Sequence, residues 1–149
     1  MFGFKYANLV SPYMTLISIR CPVNPSEDPD KVLAAINAIF PDAEVELSDG
    51  LYKGTAGLDR FSQLIRRQKI LDATRAVMIM NIRGNRTRML VNKQVATVGK
   101  ISFADRNPVL GAIEVTVEDD DLMSLIDRVA PVTVDGEEAV SYTHLTLPT

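Results

Sequence analysis

Met14 to Val23, reading MTLISIRCPV, alternates apolar with small or polar side chains, the period of a strand with one face buried. The pattern then changes. Asn24-Pro25-Ser26-Glu27-Asp28-Pro29 interrupts the run, Asp28 can cap a helix with Pro29 at its first position, and Val32, Leu33, Ile36, Ile39 and Phe40 recur at helical spacing until Pro41. A strand that turns directly into an amphipathic helix makes this a mixed chain, and the segments on its C-terminal side decide which mixed class.

Ala43 to Leu47 reads as a short strand with Glu44 and Glu46 on one side, and Ser48-Asp49-Gly50 as a turn. After Gly54 and Gly57, Leu58, Phe61, Leu64 and Ile65 mark one face of a second helix, with Arg60 and Arg67 opposite. Ile70, Leu71, Ala73, Ala76 and Val77 then spread around the helical wheel, so this helix is either buried on several sides or broken near Gln68. Ile82 to Arg86 is turn-like. Arg88 to Val98, Lys100 to Phe103 and Ala112 to Val117 read as three strands, whose short connections favour antiparallel pairing. Leu122, Leu125, Ile126 and Val129, behind the acids at 118–121 and closed by Pro131, predict a terminal helix. The expected order is β-α-β-α-β-β-β-α: a single α+β domain, a largely antiparallel sheet with helices packed on one face.

At 149 residues and 46% hydrophobic, the chain can bury a core without metals or disulfides. Its apolar runs are too short to span a bilayer and its start lacks a signal-peptide pattern, so a cytoplasmic protein with no membrane partner is expected. Cys21 is the one cysteine and reads as a small buried hydrophobe. Residues 1–13 read as a misassigned N-terminal extension if Met14 is the initiator, and residues 14–139 as the domain. Residues 140–149 match an in-frame translation of a sequencing-library adapter, not a native segment.

Excluding that tail removes His144, the single histidine, and with it Ser-His and Cys-His pairs and imidazole metal sites. The chain also lacks a phosphate-binding Gly-Lys-Ser/Thr loop and a dinucleotide fingerprint. Asp119-Asp120-Asp121 reads as a helix cap at a positive dipole end rather than as a cation site. No enzyme, catalytic residue, cofactor or metal is expected.

Charge is the informative feature. Between Arg60 and Arg106 lie eleven of the sixteen Lys and Arg residues and only two acids, Asp72 and Asp105, a segment of +9 inside a chain of net charge −3. The rest carries five bases against seventeen acids, or −12. The bases fall on a helix (Arg66, Arg67, Lys69, Arg75), around a turn (Arg83, Arg86, Arg88) and in the strand region (Lys93, Lys100). Such a cluster is either a solvated face or a surface for a polyanion or an acidic protein. Phe61 and Phe103 are the aromatics of the window and both fit the core, so phosphate and shape reading of structured RNA suits it better than base stacking. Asn92-Lys93-Gln94 sets polar groups inside an apolar run, either to satisfy backbone groups or to present a polar patch.

Several blocks resemble, in order, an uncharacterised archaeal family described as RNA-binding and as a predicted exosome subunit. They are Pro25 to Val32, Ile39-Phe40-Pro41, Arg67 to Asp72 with Arg75, Val91 to Gln94 with Ala96, Gly99 to Phe103, Leu110-Gly111 with Ile113, and Ile126-Asp127 with Ala130-Pro131. The resemblance covers roughly Met14 to Ala139 and departs from the family at Val91, Val95, Arg128 and Val129. It implies a fold like ribosomal protein L five, RNA as partner, and Arg67, Gln68, Lys69, Asp72, Arg75, Asn92, Lys93 and Gln94 as signature positions. The expectation is therefore a non-catalytic RNA-binding protein, linked to RNA processing or the ribosome. Its contacts would come from Arg66, Arg67, Gln68, Lys69, Arg75, Arg86, Arg88, Asn92, Lys93, Gln94 and Lys100. The alternative is a self-associating protein-interaction module that sets a basic surface against an acidic face, with a homodimer or RNA-processing and ribosomal proteins as partners.

Overall fold

The computed structural model describes residues 15–104, 108, 110–134 and 137–138. The expected N-terminal extension, the adapter-like tail and Arg106 lie outside them. In chain order the elements are β1 (Thr15–Pro22), α1 (Pro29–Ile39), β2 (Glu44–Ser48), β3 (Leu51–Thr55), α2 (Asp59–Arg67), α3 (Leu71–Met80), β4 (Arg86–Val91), α4 (Lys93–Ala96), β5 (Ile113–Asp119), α5 (Leu122–Val129), β6 (Thr133–Val134) and β7 (Glu137–Glu138). The first five strands form one sheet in the order β2-β3-β1-β5-β4, with every neighbouring pair antiparallel. The chain is thus the α+β domain its patterning implied.

Period-two burial builds the core face. Ile17, Ile19 and Cys21 of β1, Ile113, Val115 and Val117 of β5, and Met89 and Val91 of β4 are buried. The intervening positions Leu16, Ser18, Arg20, Glu114, Thr116, Glu118, Arg86 and Arg88 lie on the opposite face and are partly or fully exposed. Against the buried face pack Val32, Ala35, Ile36 and Ile39 of α1, Phe61, Leu64 and Ile65 of α2, Met78 of α3, and Leu122, Leu125, Ile126 and Val129 of α5. Phe40 and Phe61 stack with ring centroids 5.9 Å apart and planes 7° from parallel, joining the end of α1 to α2.

Local signals act where they were read. The Asp28 carboxylate accepts from Asp30 N at 2.9 Å, with Pro29 opening α1. Asp121 caps α5 by accepting from Ser124 N at 3.3 Å and Ser124 Oγ at 2.7 Å. Asp49 and Gly50, with φ of 53° and 72°, make the two-residue turn between β2 and β3.

Other elements differ from expectation, each for a physical reason. The segment after Gly50 is β3, hidden in the sequence because Gly54 stands in its middle. A Cβ there would run into the Glu44 carbonyl, so the close pairing of β2 on β3 needs glycine. The long helix is broken at residues 68–70 into α2 and α3, the second of the two readings its pattern left open. The expected strand from Arg88 to Val98 ends at Val91, because the Asn92 side chain accepts from Gln94 N at 2.8 Å and Val95 N at 3.1 Å and starts α4. Of the expected strand from Lys100 to Phe103, Phe103 alone pairs, in an isolated bridge to Val91. A two-stranded β6-β7 hairpin follows the helix expected to be terminal.

Candidate nucleic-acid interface

The basic segment does not fold into one surface. Arg66 and Arg75, from α2 and α3, both reach the C-terminal end of α5. Arg66 donates to the carbonyls of Val129 and Arg128, each at 3.2 Å, and pairs with Glu138 at 2.8 Å. Arg75 donates to the Ala130 carbonyl at 3.1 Å and to Asp127 at 2.7 Å. The last carbonyls of a helix lack intrahelical partners and carry partial negative charge, so these guanidiniums are used in holding α5. Arg86 and Arg88 stand on the open sheet face beside Glu118 and Glu114, at 3.9 and 3.6 Å. Exposed pairs of this kind contribute about 0–1 kcal/mol, but they cancel the local positive field.

Lys93 departs most from the sequence reading. It is 5% exposed, and its ammonium donates to the Pro22 carbonyl at 2.7 Å, the Leu110 carbonyl at 2.7 Å and Glu27 Oε1 at 2.9 Å. Its donors are thereby taken, and it ties the end of β1, the approach to α1 and the loop before β5 to α4. Asn24 reinforces the knot, donating from N to Glu27 at 2.9 Å and from Nδ2 to the Leu110 carbonyl at 2.9 Å. Gly111 belongs to it too: at φ +87°, a Cβ there would strike the Pro22 ring. Glu27, which no local pattern singled out, is the counterion. Burial pushes the neighbouring Cys21 thiol up to about 11, the nearby Lys93 charge offsetting only part of that. Cys21 is therefore an unreactive thiol.

Partial burial works to raise the Glu27 carboxyl, but the bonds from Asn24 N and the Lys93 ammonium outweigh it and hold the group below the usual carboxylate range. The hydroxyl and N–H of Ser124 do the same for Asp121. A depressed carboxylate contributes stability that is full above its unfolded-state value and is lost as pH falls through the folded one. Denaturant melts repeated from neutral to acid pH should therefore show falling stability below the ordinary carboxylate range, with a shallower acid limb in Glu27→Gln. An equally steep limb in that variant would show that Glu27 is not the group responsible.

Three exposed, unpaired cations lie near the end of α2, while Arg60 at its start and Arg83 in the turn before β4 are exposed without an ion pair elsewhere among the described residues. Gln68 locks the corner at the end of α2 by donating from Nε2 to the Ile101 carbonyl at 3.0 Å and accepting from Ile101 N at 2.7 Å. That paired link brings Arg67 and Lys69, on either side of Gln68, to Lys100, the neighbour of Ile101. All three cations are exposed and have no hydrogen-bond or ion-pair partner for their charged groups among the described residues. Lys69 closes α2 in a left-handed conformation, φ 61°, with Ile70 N bonded to the Ile65 carbonyl at 3.0 Å and Lys69 N to the Arg66 carbonyl at 3.1 Å. Glycine is the preferred residue at such a helix end, and a side chain there costs about 1 kcal/mol. Gln94 is exposed on α4, and Asn92 is spent on its cap.

Among the described residues no group of three or more His, Cys, Asp or Glu could hold a metal ion, and no helix is long and apolar enough to cross a membrane. Fold and site thus define an α+β domain with one helix-covered sheet face, one open sheet face and a small cationic corner. The model of a family described as RNA binding matches residues 16–118, and the chain belongs to that family, whose relatives carry the name UPF0201. A UPF0200/UPF0201 protein of Archaeoglobus fulgidus is 43% identical over 80% of this chain. The chain spans 38% of that relative's own length. The UPF0201 protein of Sulfurisphaera tokodaii is 38% identical, with 83% of this chain and 92% of the relative covered. Among solved structures, an uncharacterised UPF0201 protein at 42% identity superposes with a TM-score of 0.76, covering 83% of this chain and 99% of that one.

Proposed function

We propose that this protein binds structured RNA without catalysing a reaction on it, through phosphate contacts from Arg67, Lys69 and Lys100. The observation that carries the reading is Lys69. Its backbone takes a conformation that glycine would hold at less cost, and its ammonium meets no partner in the fold, so what the position offers is a charge directed to solvent. The Gln68–Ile101 link joins the segment that carries Arg67 and Lys69 to the one that carries Lys100, and the family's description as RNA binding supports a polyanion as the ligand. Shape and phosphate recognition follows from the site's makeup, since Phe61 is fully buried in the core and Phe103 packs against it. Through the resemblance alone, the reading extends to RNA-processing or ribosomal machinery as the setting.

Three cations make a weak site, with dissociation constants expected in the non-specific range of about 10⁻⁴ to 10⁻⁶ M at physiological salt. Fluorescence titration with a structured RNA at several salt concentrations tests this. Combining Arg67→Gln, Lys69→Gln and Lys100→Gln should weaken binding and reduce the logarithmic salt slope by about 2–3, from roughly 0.7–0.9 per lost phosphate contact. Absence of binding at low salt, or a slope that the triple change leaves alone, would overturn the proposal.

A further inference from the structure

We propose that the open face of the sheet is the docking surface for a second copy of this chain, packed face to face about a twofold axis that runs parallel to the strands. The inference is independent of the RNA reading and rests on how charge is distributed across the face.

The strand order puts β1 at the centre, β2 at one edge and β4 at the other. The register aligns outward residues in rows. One runs Glu46, Lys53, Arg20, Glu114, Leu90, and the next Glu44, Thr55, Ser18, Thr116, Arg88. The β2 edge therefore carries acids and β4 carries bases, Arg86 as well as Arg88, each of the two within 4 Å of a β5 carboxylate. Rotation about an axis along β1 exchanges left and right, so β2 of one copy lies over β4 of the other. Glu44 then opposes Arg88 of the second copy, and Lys53 opposes Glu114, with each contact made twice by symmetry. The alternative axis, across the strands, would stack the acidic edge on itself, which like-charge repulsion disfavours. Arg20 sits on the axis as the one like-charge encounter, and Glu114 stands beside it in its own row in both copies. Leu16, 45% exposed on the central strand, supplies apolar contact near the axis.

The remaining groups on the face fit a dry contact. Ser18, Thr55 and Thr116 are short, and among the described residues no helix covers this side of β1 or β5 at their outward positions. The face also carries acids and bases in equal number: Glu44, Glu46, Glu114 and Glu118 against Arg20, Lys53, Arg86 and Arg88. That balance favours a protein with the mirrored pattern over RNA, which would meet the acids. Strand spacing and rise give a footprint on the order of 400 Å² per copy, about half of a standard interface. The expected dimer is accordingly weak and sensitive to salt.

Sedimentation velocity on the full chain tests the proposal. A mass near twice that of the chain is expected at high micromolar concentration in low salt, returning to that of the single chain on dilution or in high salt. Arg88→Glu and Glu44→Arg should each abolish dimerisation, because each sets like charges across the axis at both contacts. Mixed together, the two variants should form a heterodimer, since Glu44 with the altered position 88 meets Arg88 with the altered position 44. Glu44 is exposed on an edge strand and makes no ion pair among the described residues, so Glu44→Arg carries the test if Arg88→Glu, placed beside Glu114, fails to fold. A monomer at every concentration, or a dimer that Glu44→Arg leaves intact, overturns the proposal. So does a mixture of two folded variants that stays monomeric, or a monomer that loses RNA affinity with Arg88→Glu, which would assign the face to RNA.

Discussion

Replacing Lys93 by alanine is expected to destabilise the fold by about 3–5 kcal/mol, the usual consequence of breaking a buried ion pair from one side. The Glu27 carboxylate, in contact with the ammonium at 2.9 Å and only 16% exposed, would be left partly buried without its counterion. The Pro22 carbonyl would lose its 2.7 Å bond, whereas the Leu110 carbonyl would keep the one from Asn24 Nδ2 at 2.9 Å. The reciprocal change should be milder when both partners go. In Lys93→Met combined with Glu27→Gln no charge is stranded, and the remaining cost is that of the Pro22 carbonyl, about 1–3 kcal/mol. Urea denaturation of the three proteins separates these contributions. If the double variant is no more stable than Lys93→Ala, stranded charge is not the source of the loss.

Phe61→Ala should cost a similar amount, about 3–5 kcal/mol, through a different mechanism. Phe61 is fully buried and its ring lies 5.9 Å from that of Phe40, so truncation removes transferred apolar area and leaves a cavity between α1 and α2. Phe61→Leu keeps much of the volume and should lose about 1.5 kcal/mol or less. Neither substitution touches a charged group. The salt dependence of stability should therefore match that of the unaltered chain, and thermal or urea melts at two salt concentrations check both statements. A loss below about 1 kcal/mol for Phe61→Ala would mean that the helices close the cavity by moving together.

Much of the fold was legible where signals are local. The alternation of β1, the Asp28-Pro29 start of α1, the Asp49-Gly50 turn and the Asp121 cap all work through neighbours within a few residues, and each lies where its pattern placed it. β3 was not legible, because Gly54 answers to a backbone carbonyl on β2 rather than to its own strand. The strand expected to run through Asn92 to Val98 failed for a related reason. Val91 and Val95 flank three polar residues whose pattern does not separate strand from helix, and the choice was made by the Asn92 amide closing on the backbone of Gln94 and Val95. The candidate site was readable only in part. Sequence placed Arg67, Lys69 and Lys100 in a basic segment, but it placed Arg66, Arg75 and Lys93 there on the same grounds.

By itself the sequence determined the class of fold, because periodicity and capping are written in adjacent residues, and it determined that positive charge is concentrated between Arg60 and Arg106. Only the tertiary structure decided which of those charges face solvent. Lys93 meets Glu27 across 66 residues, Arg75 meets Asp127 across 52, and Gln68 meets Ile101 across 33. Formal charge belongs to a residue, but its field at the surface depends on the carboxylates and carbonyls that folding brings within about 3 Å of it. That is why much of a +9 segment becomes a buried knot, a clamp on α5 and a neutralised sheet face, leaving Arg67, Lys69 and Lys100, with Arg60 and Arg83 apart from them, exposed without an ion pair among the described residues.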